Sequence, residues 1–365
     1  MQPPAHRSRF RRALPKLLAA ACGTVVALVV VEVALRWSGY NLHFHNGFSS
    51  FHEYDPDVGI RGVPEMSGRF TQSEFDVGVT HDARGFRVAP VDRDPPDEPG
   101  KVLWVLGDSH VWGWGVEADE SIVGLLDASL ADLRAANFGV CGTGTVTQSI
   151  VYEKHVAASV QPGDIVVLCV FCNDLSDNIG HAFREFAYAV VGDDGEVSVV
   201  PPPAPSFGKK LKKLLKLNWA TFNLAAYAWD RMKADWKADS RAAASGVEVE
   251  VFDEELSALV FRHYLDAMRD DAQSRGAQLG VVFLPFRTLY GEGTPRDVEH
   301  VAQHRSNHRT AIEVLRETDI PFVDLLPALR QQSASERMTF VGDFHLGAAG
   351  HRVVAEGVTQ LVRSL

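Results

Sequence analysis

Three side chains in the sequence have the chemistry of a catalytic triad. Ser109 follows the apolar run Val102–Leu106, and the pair Asp343 and His345 lies near the C-terminus in a glycine-flanked loop. A serine hydroxyl becomes a good nucleophile when a histidine accepts its proton and a carboxylate orients that histidine. Residues i and i+2 of an extended segment project to the same side, so Asp343 can reach Nδ1 of His345. The sequence therefore predicts a Ser109–His345–Asp343 triad.

Two further segments could bind the oxyanion that forms when a serine attacks an ester. One is the glycine-rich stretch 137–144, which contains Gly142, and the other contains Asn173. Each follows a predicted strand, and the carboxyl ends of parallel strands meet at one edge of a sheet. Backbone N–H groups and an asparagine amide are suitable donors to an oxyanion. We therefore expect both segments beside Ser109.

The elements that must position these residues alternate between apolar runs and helical patterns. The runs that predict strands are Val102–Leu106, Ala135–Phe138, Ile165–Phe171, Gln278–Leu284 and Pro321–Leu325, and the first two are followed by helical patterns near 120–133 and 146–159. Strands separated by helices form right-handed crossovers and a parallel sheet that is covered on both faces. The pattern predicts a three-layer α/β/α sandwich around a mostly parallel sheet of about five strands.

Residues 17–36 predict one transmembrane helix. Leu17–Leu35 are apolar apart from Glu32, and they follow a basic tail, residues 1–16. A span of about 20 residues crosses a bilayer, and the basic flank places the tail in the cytoplasm. A cleaved signal peptide is the alternative, but no clear small-x-small cleavage site follows the apolar run. We predict a single-pass protein of the inner membrane with its catalytic domain in the periplasm.

The remaining chain divides into a lead-in segment and a catalytic domain. Residues 37–100 are polar, aromatic and rich in Gly and Pro, which predicts an extended and partly ordered lead-in. Residues 101–365 form the predicted catalytic domain, with an insertion at about 179–246 that contains a β-hairpin and the basic amphipathic stretch 209–216. That stretch has two interpretations: a solvated helix with its apolar side on the domain, or a helix on anionic headgroups beside the anchor.

Composition and spacing argue against several other classes of site. The net charge of −11, without a dominant basic stripe, argues against a nucleic-acid partner. Cys169 and Cys172 are spaced C-x-x-C, but on a strand they point to opposite faces, so we expect two buried thiols. His300, His304 and His308 share a helix face without an acidic or cysteine partner of known proximity. We predict no metal and no cofactor, and the sequence indicates no protein partner.

Together these motifs resemble the blocks of the SGNH (GDSL-like) hydrolase superfamily. Gly107–His110 is similar to the first block, Gly142 to the second, Asn173–Asp174 to the third and Asp343–His345 to the last. The lead-in stretch 54–87 resembles that of membrane-anchored bacterial members.

The resemblance implies the flavodoxin-like SGNH fold and a role for each matched residue. Ser109 would be the nucleophile, His345 the general base, and Asp343 the group that orients the base. The oxyanion hole would consist of the backbone N–H groups of Ser109 and Gly142 and the side chain of Asn173.

Three positions depart from the usual pattern of the superfamily. His110 stands where an apolar residue is common, and Phe171 stands where the third block usually has glycine. The last block reads Asp-x-His, shorter than the Asp-x-x-His of many esterases and similar to that of alginate-type O-acetyltransferases.

The expected activity is serine-dependent hydrolysis of acyl esters outside the cytoplasm. The substrate would be an acylated glycan or another surface or small-molecule ester. An exopolysaccharide O-acetyltransferase with the same site is one alternative, and an inactive binding or scaffold protein is another.

Overall fold

The computed structural model describes residues 6–40, 47–88, 101–179, 185–241 and 253–365. Its strands are β1 His52–Asp55, β2 Gly59–Gly62, β3 Ser67–Thr71, β4 Asp76–Thr80, β5 Lys101–Gly107, β6 Leu133–Gly139, β7 Ile165–Phe171, β8 Tyr188–Val191, β9 Val197–Val200, β10 Gln278–Leu284 and β11 Phe322–Asp324. Its helices are α1 His6–Trp37, α2 Ser109–Trp112, α3 Ile122–Ser129, α4 Thr145–Val151, α5 Asp174–Asp177, α6 Phe207–Asn218, α7 Ala220–Arg241, α8 Glu254–Ser274, α9 Pro295–Val298, α10 Val301–Arg316, α11 Leu326–Gln332 and α12 Ala348–Ser364.

The chain forms two compact units. One combines Met1–Gly47 with Ser206–Glu248, and the other combines Phe48–Pro205 with Val249–Leu365. The second unit contains every residue that the sequence analysis assigned to catalysis.

A five-stranded parallel sheet in the order β11-β10-β7-β5-β6 is the centre of the second unit. The predicted α/β class and the parallel sheet are confirmed. All seven residues of β7 are buried, as expected for a central strand with helices on both faces. Strands β7 and β10 have the predicted bounds, whereas β6 is longer and β11 shorter than predicted.

The sheet separates two hydrophobic cores, which makes the domain a three-layer sandwich. Helices α4, α8 and α10 supply one core, and α3, α11 and α12 supply the other. Neighbouring residues of β7 alternate between them: Val166 and Leu168 belong to the first core, Val167 and Cys169 to the second. Cys169 and Cys172 lie in different cores as buried free thiols, as predicted.

The lead-in segment contains regular structure that the sequence analysis did not predict. Strands β1 and β2 form one antiparallel pair and β3 and β4 another. The second pair packs Phe70, Val77 and Val79 with Phe51 and Trp112 in a separate hydrophobic cluster. This part of the lead-in therefore packs against the segment that follows Ser109. Residues 41–46 and 89–100 of the predicted lead-in lie outside the described residues.

Two other predicted elements differ in detail. The helix predicted near 146–159 is α4 followed by a π-helical turn, Tyr152–Val156, and a short 3₁₀ turn, Ala157–Ser159. The predicted hairpin is the antiparallel pair β8 and β9, with Gly195 in its turn at a φ of +83°.

The other unit contains α1, α6 and α7. Residues Leu18–Trp37 of α1 have a mean hydropathy of 2.4 and are long and apolar enough to cross a membrane. The basic stretch 209–216 is helical throughout and lies within α6.

Candidate active site

Ser109 is the first residue of α2, immediately beyond the carboxyl end of β5. The turn between them requires glycine at position 107, because a Cβ there would lie 2.5 Å from Cγ2 of Val111 and 2.9 Å from the carbonyl oxygen of Cys169. Asp108 caps α2 by accepting the N–H of His110 at 2.8 Å. The backbone thus turns sharply at the sheet edge and presents the serine there.

The structure brings Ser109, His345 and Asp343 into one hydrogen-bonded chain. Oγ of Ser109 lies 2.7 Å from Nε2 of His345, and Nδ1 of the same ring lies 2.6 Å from Oδ1 of Asp343. That carboxylate oxygen also accepts the backbone N–H of His345 at 3.1 Å. The short Asp-x-His spacing therefore orients the imidazole through both its ring and its backbone.

Burial sets the protonation state of this chain. Ser109 and His345 are both buried, and burial lowers the pKa of His345 against the opposing hydrogen bond to Asp343. For Asp343, burial opposes ionisation, but the hydrogen bond and charge of His345 outweigh it and lower the pKa. At neutral pH the histidine is neutral and the aspartate ionised, which is the state a general base requires.

Trp114 contacts both His345 and Asp343. Its indole N–H donates to Oδ2 of Asp343 at 3.0 Å, and its ring stacks on His345 with centroids 4.4 Å apart and an interplanar angle of 13°. The indole therefore holds the carboxylate oxygen that Nδ1 does not contact, and its ring limits rotation of the imidazole. The sequence analysis missed this residue; its one signal is a tryptophan five positions after Ser109.

The loop that carries Asp343 is fixed from two directions. Glu74, in the turn between β3 and β4, accepts the N–H groups of Val341 and Gly342 at 2.6 and 2.7 Å. Buried Arg287 donates to the carbonyl of Asp343 at 2.7 Å and forms an ion pair with Asp297. The lead-in segment thus takes part in positioning the triad.

Arg87 fixes the loop that carries Trp114. Its guanidinium is buried and donates to the carbonyls of Trp112, Gly113 and Val116, and to that of Gly78 in β4. The same group lies 5.2 Å above the ring of Trp112. Burial lowers the pKa of Arg87 to about 10, so it stays charged at neutral pH.

The two predicted oxyanion segments lie at the same edge of the sheet as Ser109. Gly142 follows β6 with a φ of +73°, and a Cβ there would lie 2.9 Å from the ring of Phe186. Asn173 follows β7 and donates its side-chain amide to Oδ2 of Asp177 at 2.7 Å. Since an amide carries two hydrogens, this bond leaves one for another acceptor.

Two buried carboxylates, Asp108 and Asp174, and the half-buried Asp177 lie close to these segments. Burial alone would raise the pKa of Asp108, but the charge and hydrogen bonds of His110 outweigh it and lower this pKa. Burial and the charge of Asp108 raise the pKa of Asp174 well above its usual value and that of Asp177 to about 7. Burial thus favours the protonated form of Asp174, whose Oδ2 accepts the side-chain amide of Gln148 at 2.9 Å.

Two of the three departures from the superfamily pattern, His110 and Phe171, pack together. His110 is buried, with Nδ1 3.1 Å from Asp108 and its ring centroid 5.2 Å from that of His345. The ring centroid of Phe171 lies 4.3 Å from that of His110. Phe171 also stacks on Phe344, with ring centroids 5.9 Å apart. The residues beneath and beside the base therefore form a continuous aromatic surface.

Three further histidines of the domain have structural partners. Nδ1 of His351 accepts the N–H of Ile122 at 3.2 Å and so links α12 to α3. His304 lies 3.1 Å from the hydroxyl of Thr288, and His308 lies 3.0 Å from Asp324. Among the described residues, no cluster of three or more His, Cys, Asp or Glu side chains is placed to bind a metal ion.

The chain belongs to the GDSL-like lipase/acylhydrolase family, whose model matches residues 105–353. The match runs from the strand before Ser109 to the helix after His345. No curated protein matches the chain.

Solved structures with a similar fold include other members of this class. A member of the lipolytic G-D-S-L family from Veillonella parvula is 14% identical, with a TM-score of 0.40 over 73% of this chain and 100% of that one. A variant of Axe2, an acetyl-xylooligosaccharide esterase from Geobacillus stearothermophilus, is 15% identical, with a TM-score of 0.40 over 72% of this chain and 94% of that one.

Proposed function

We propose that this protein is a serine-dependent acyl-ester hydrolase that acts outside the cytoplasm on an acylated glycan or another surface ester. The hydrogen-bonded chain from Ser109 through His345 to Asp343, with distances of 2.7 and 2.6 Å, carries the proposal. Membership of the acylhydrolase family supports the reaction class.

The reaction would proceed through an ester on Ser109. Its Oγ attacks the substrate carbonyl while Nε2 of His345 takes the proton, and Asp343 stabilises the imidazolium through Nδ1–H. The N–H groups of Ser109 and Gly142 and the second amide hydrogen of Asn173 would stabilise the oxyanion. His345 then protonates the leaving alkoxide, and a water activated by the same histidine releases the acid. Every proton transfer uses a side chain of this protein, so the proposal includes no cofactor.

The surface beside the base suits an uncharged group of the substrate. Phe344 is 36% exposed and stacks on His345 with ring centroids 4.5 Å apart. Phe286 lies 5.7 Å from Phe344, again as ring centroids. An apolar wall with a few convergent polar groups is typical of small-molecule sites. We propose that this wall contacts the acyl group or the apolar face of a sugar.

The test is hydrolysis of p-nitrophenyl acetate by the full-length protein in detergent. The Ser109→Ala variant should lose at least about a thousandfold in kcat, because the nucleophile is gone. Ser257→Ala is the matched control, since Ser257 is also fully buried but donates to the carbonyl of Leu175. Equal hydrolysis by the wild type and by Ser109→Ala would refute an enzymatic role for this site.

The acyl acceptor separates hydrolysis from transfer. The Asp-x-His spacing favours an O-acetyltransferase as the second candidate, because the same acyl-serine could be attacked by a sugar hydroxyl. Adding an oligosaccharide to the assay should leave acetate as the product under our proposal. Acetylated oligosaccharide would instead establish the transferase, and inactivity of the wild type towards all esters would favour a binding protein.

We further propose that α1 anchors the protein in the cytoplasmic membrane with the catalytic domain outside. None of the apolar stretch Leu18–Trp37 is buried in the structure, which is unfavourable in water. The basic residues before it favour a cytoplasmic N-terminus. A phosphatase reporter that is active only outside the cytoplasm, fused after Leu365, should be active. An inactive reporter would refute this orientation.

A further inference from the structure

Helix α6 is an amphipathic helix whose apolar side is exposed. The hydroxyl of Ser206 caps its first turn, and none of its twelve residues is buried. Along one side, Phe207, Leu211 and Leu214 are 79%, 41% and 59% exposed. An exposed apolar stripe of this kind marks a surface that another phase or molecule covers.

The other side of α6 is strongly basic. The helix has lysines at 209, 210, 212, 213 and 216 and no acidic residue. At roughly 100° per residue, four of them lie opposite the apolar stripe and Lys210 lies at its border. A helix with lysines on its polar side and Phe and Leu on the other is typical of segments that lie in the membrane interface.

The junction of α6 and α7 is bonded to the apolar helix α1. Glu32 accepts the N–H groups of Ala220 and Thr221 at 3.1 and 2.8 Å and the hydroxyl of Thr221 at 2.8 Å. Arg36 donates to the carbonyl of Asn218. Glu32 thus satisfies N–H groups that the first turn of α7 cannot pair internally. This contact explains the one acidic residue within an otherwise apolar span.

The position of Glu32 along α1 fixes the depth of this junction. Glu32 precedes Trp37, the last residue of the apolar stretch, by five positions, which corresponds to about 7 Å along a helix. Trp37 and Trp219 are 91% and 52% exposed, and tryptophan is enriched at membrane surfaces. If α1 spans a membrane, the end of α6 therefore lies at the level of the headgroups.

We propose that α6 lies flat on the membrane surface beside the anchor, with Phe207, Leu211 and Leu214 among the acyl chains and its lysines among anionic lipid headgroups. The proposal rests on the membrane anchor proposed above but not on the esterase activity. Three properties of α6 support it: the exposed apolar stripe, the complementary charge of its lysines and anionic lipid, and its continuity with α1. Each lysine should increase the ratio of membrane-bound to unbound α6 by up to about fivefold.

The test places an environment-sensitive NBD probe on the full-length protein in vesicles. Cys22 is exposed and is replaced by alanine, whereas the other three cysteines are buried. The probe is attached at Leu214→Cys, on the apolar stripe, or at Lys212→Cys, on the polar side, as the matched control. Vesicles are made of phosphatidylcholine alone or with phosphatidylglycerol, with and without doxyl-labelled lipid that quenches the probe at a known depth.

The expected result is a blue-shifted emission and quenching at position 214 but not at position 212, both stronger with phosphatidylglycerol. Changing lysines 209, 210, 213 and 216 to glutamine should remove the phosphatidylglycerol effect. Equal emission at both positions in vesicles would overturn the proposal. A blue shift at position 214 that doxyl-labelled lipid does not quench would also overturn it, since the stripe would then be covered by protein and not by lipid.

The anchor and the esterase are tested in the same samples. Failure of the full-length protein to float with the vesicles would overturn both the anchor and this proposal. Hydrolysis of p-nitrophenyl acetate by the vesicles reports on the active site separately. A water-exposed position 214 in a floating, active protein would refute the present inference alone.

Discussion

Replacing Trp114 by phenylalanine tests whether the indole positions the catalytic base. The change keeps an aromatic ring against His345. It removes the indole N–H that donates to Oδ2 of Asp343 at 3.0 Å in the wild type. A hydrogen bond to a charged group contributes about 1.5–3 kcal/mol. Because 29% of the Asp343 side chain is exposed, water can replace part of the lost bond. We therefore take the lower end, about 1.5 kcal/mol, which corresponds to roughly a tenfold loss of kcat/KM.

The pH profile of Trp114→Phe distinguishes a positioning role from a loss of stability. The indole hydrogen bond lowers the pKa of Asp343, so its removal makes the carboxylate more basic. A more basic carboxylate stabilises the imidazolium form of His345 and raises its pKa. The acid limb of kcat/KM, which requires neutral His345, should therefore move to higher pH.

Trp104→Phe is the matched control for this variant. Trp104 is also nearly buried and donates its indole N–H to a carboxylate oxygen, Oδ2 of Asp164, at 2.9 Å. Asp164 precedes β7 and so lies at the amino edge of the sheet, opposite Ser109. This variant should lose stability without moving the acid limb. If both variants have wild-type pH profiles and kcat/KM values within about twofold of each other, the positioning role of Trp114 is refuted.

Three other predictions follow from the same geometry. The acid limb of the wild-type kcat/KM profile should have its midpoint below pH 6.5, because burial lowers the pKa of His345 and the base is active only when neutral. A midpoint above pH 7 would contradict the assignment of His345 as the base. Glu74→Ala should lower kcat about fivefold, because the loop loses roughly 1 kcal/mol of hydrogen bonding. The control Glu53→Ala removes an exposed pair with an arginine and should leave kcat unchanged. Equal kinetics for the two variants would refute the role of Glu74. Arg87→Met should reduce the free energy of unfolding by roughly 3 kcal/mol, because buried carbonyls lose their donor. Denaturant titration measures this free energy, and a loss below about 1 kcal/mol would contradict the prediction.

The sequence was sufficient to predict the sheet and the meeting of Ser109, His345 and Asp343, for local physical reasons. Residues 165–171 and 279–284 are apolar and buried because helices cover both faces of these strands. Ser109, Gly142 and Asn173 each follow a predicted strand, so their common edge could be inferred without knowing the strand order. The roles of these residues stay predictions until the kinetic tests are made.

The residues that hold the triad in place could not be predicted, because their contacts are remote in sequence. Trp114 and Asp343 are separated by 229 positions, and Glu74 and Val341 by 267. No local pattern pairs an indole or a surface glutamate with a particular loop that far along the chain. A weak signal did exist for β4, where Val77 and Val79 alternate with polar neighbours and are buried.

The most direct test of the central claim is to identify the acylated residue. The full-length protein is mixed with p-nitrophenyl acetate, quenched in acid during turnover, digested and analysed by mass spectrometry. Our account predicts an acetyl group on the peptide that contains Ser109, at the serine itself, and none in Ser109→Ala. An acetyl group on another residue, or turnover by the wild type with no acetylated Ser109, would contradict the account.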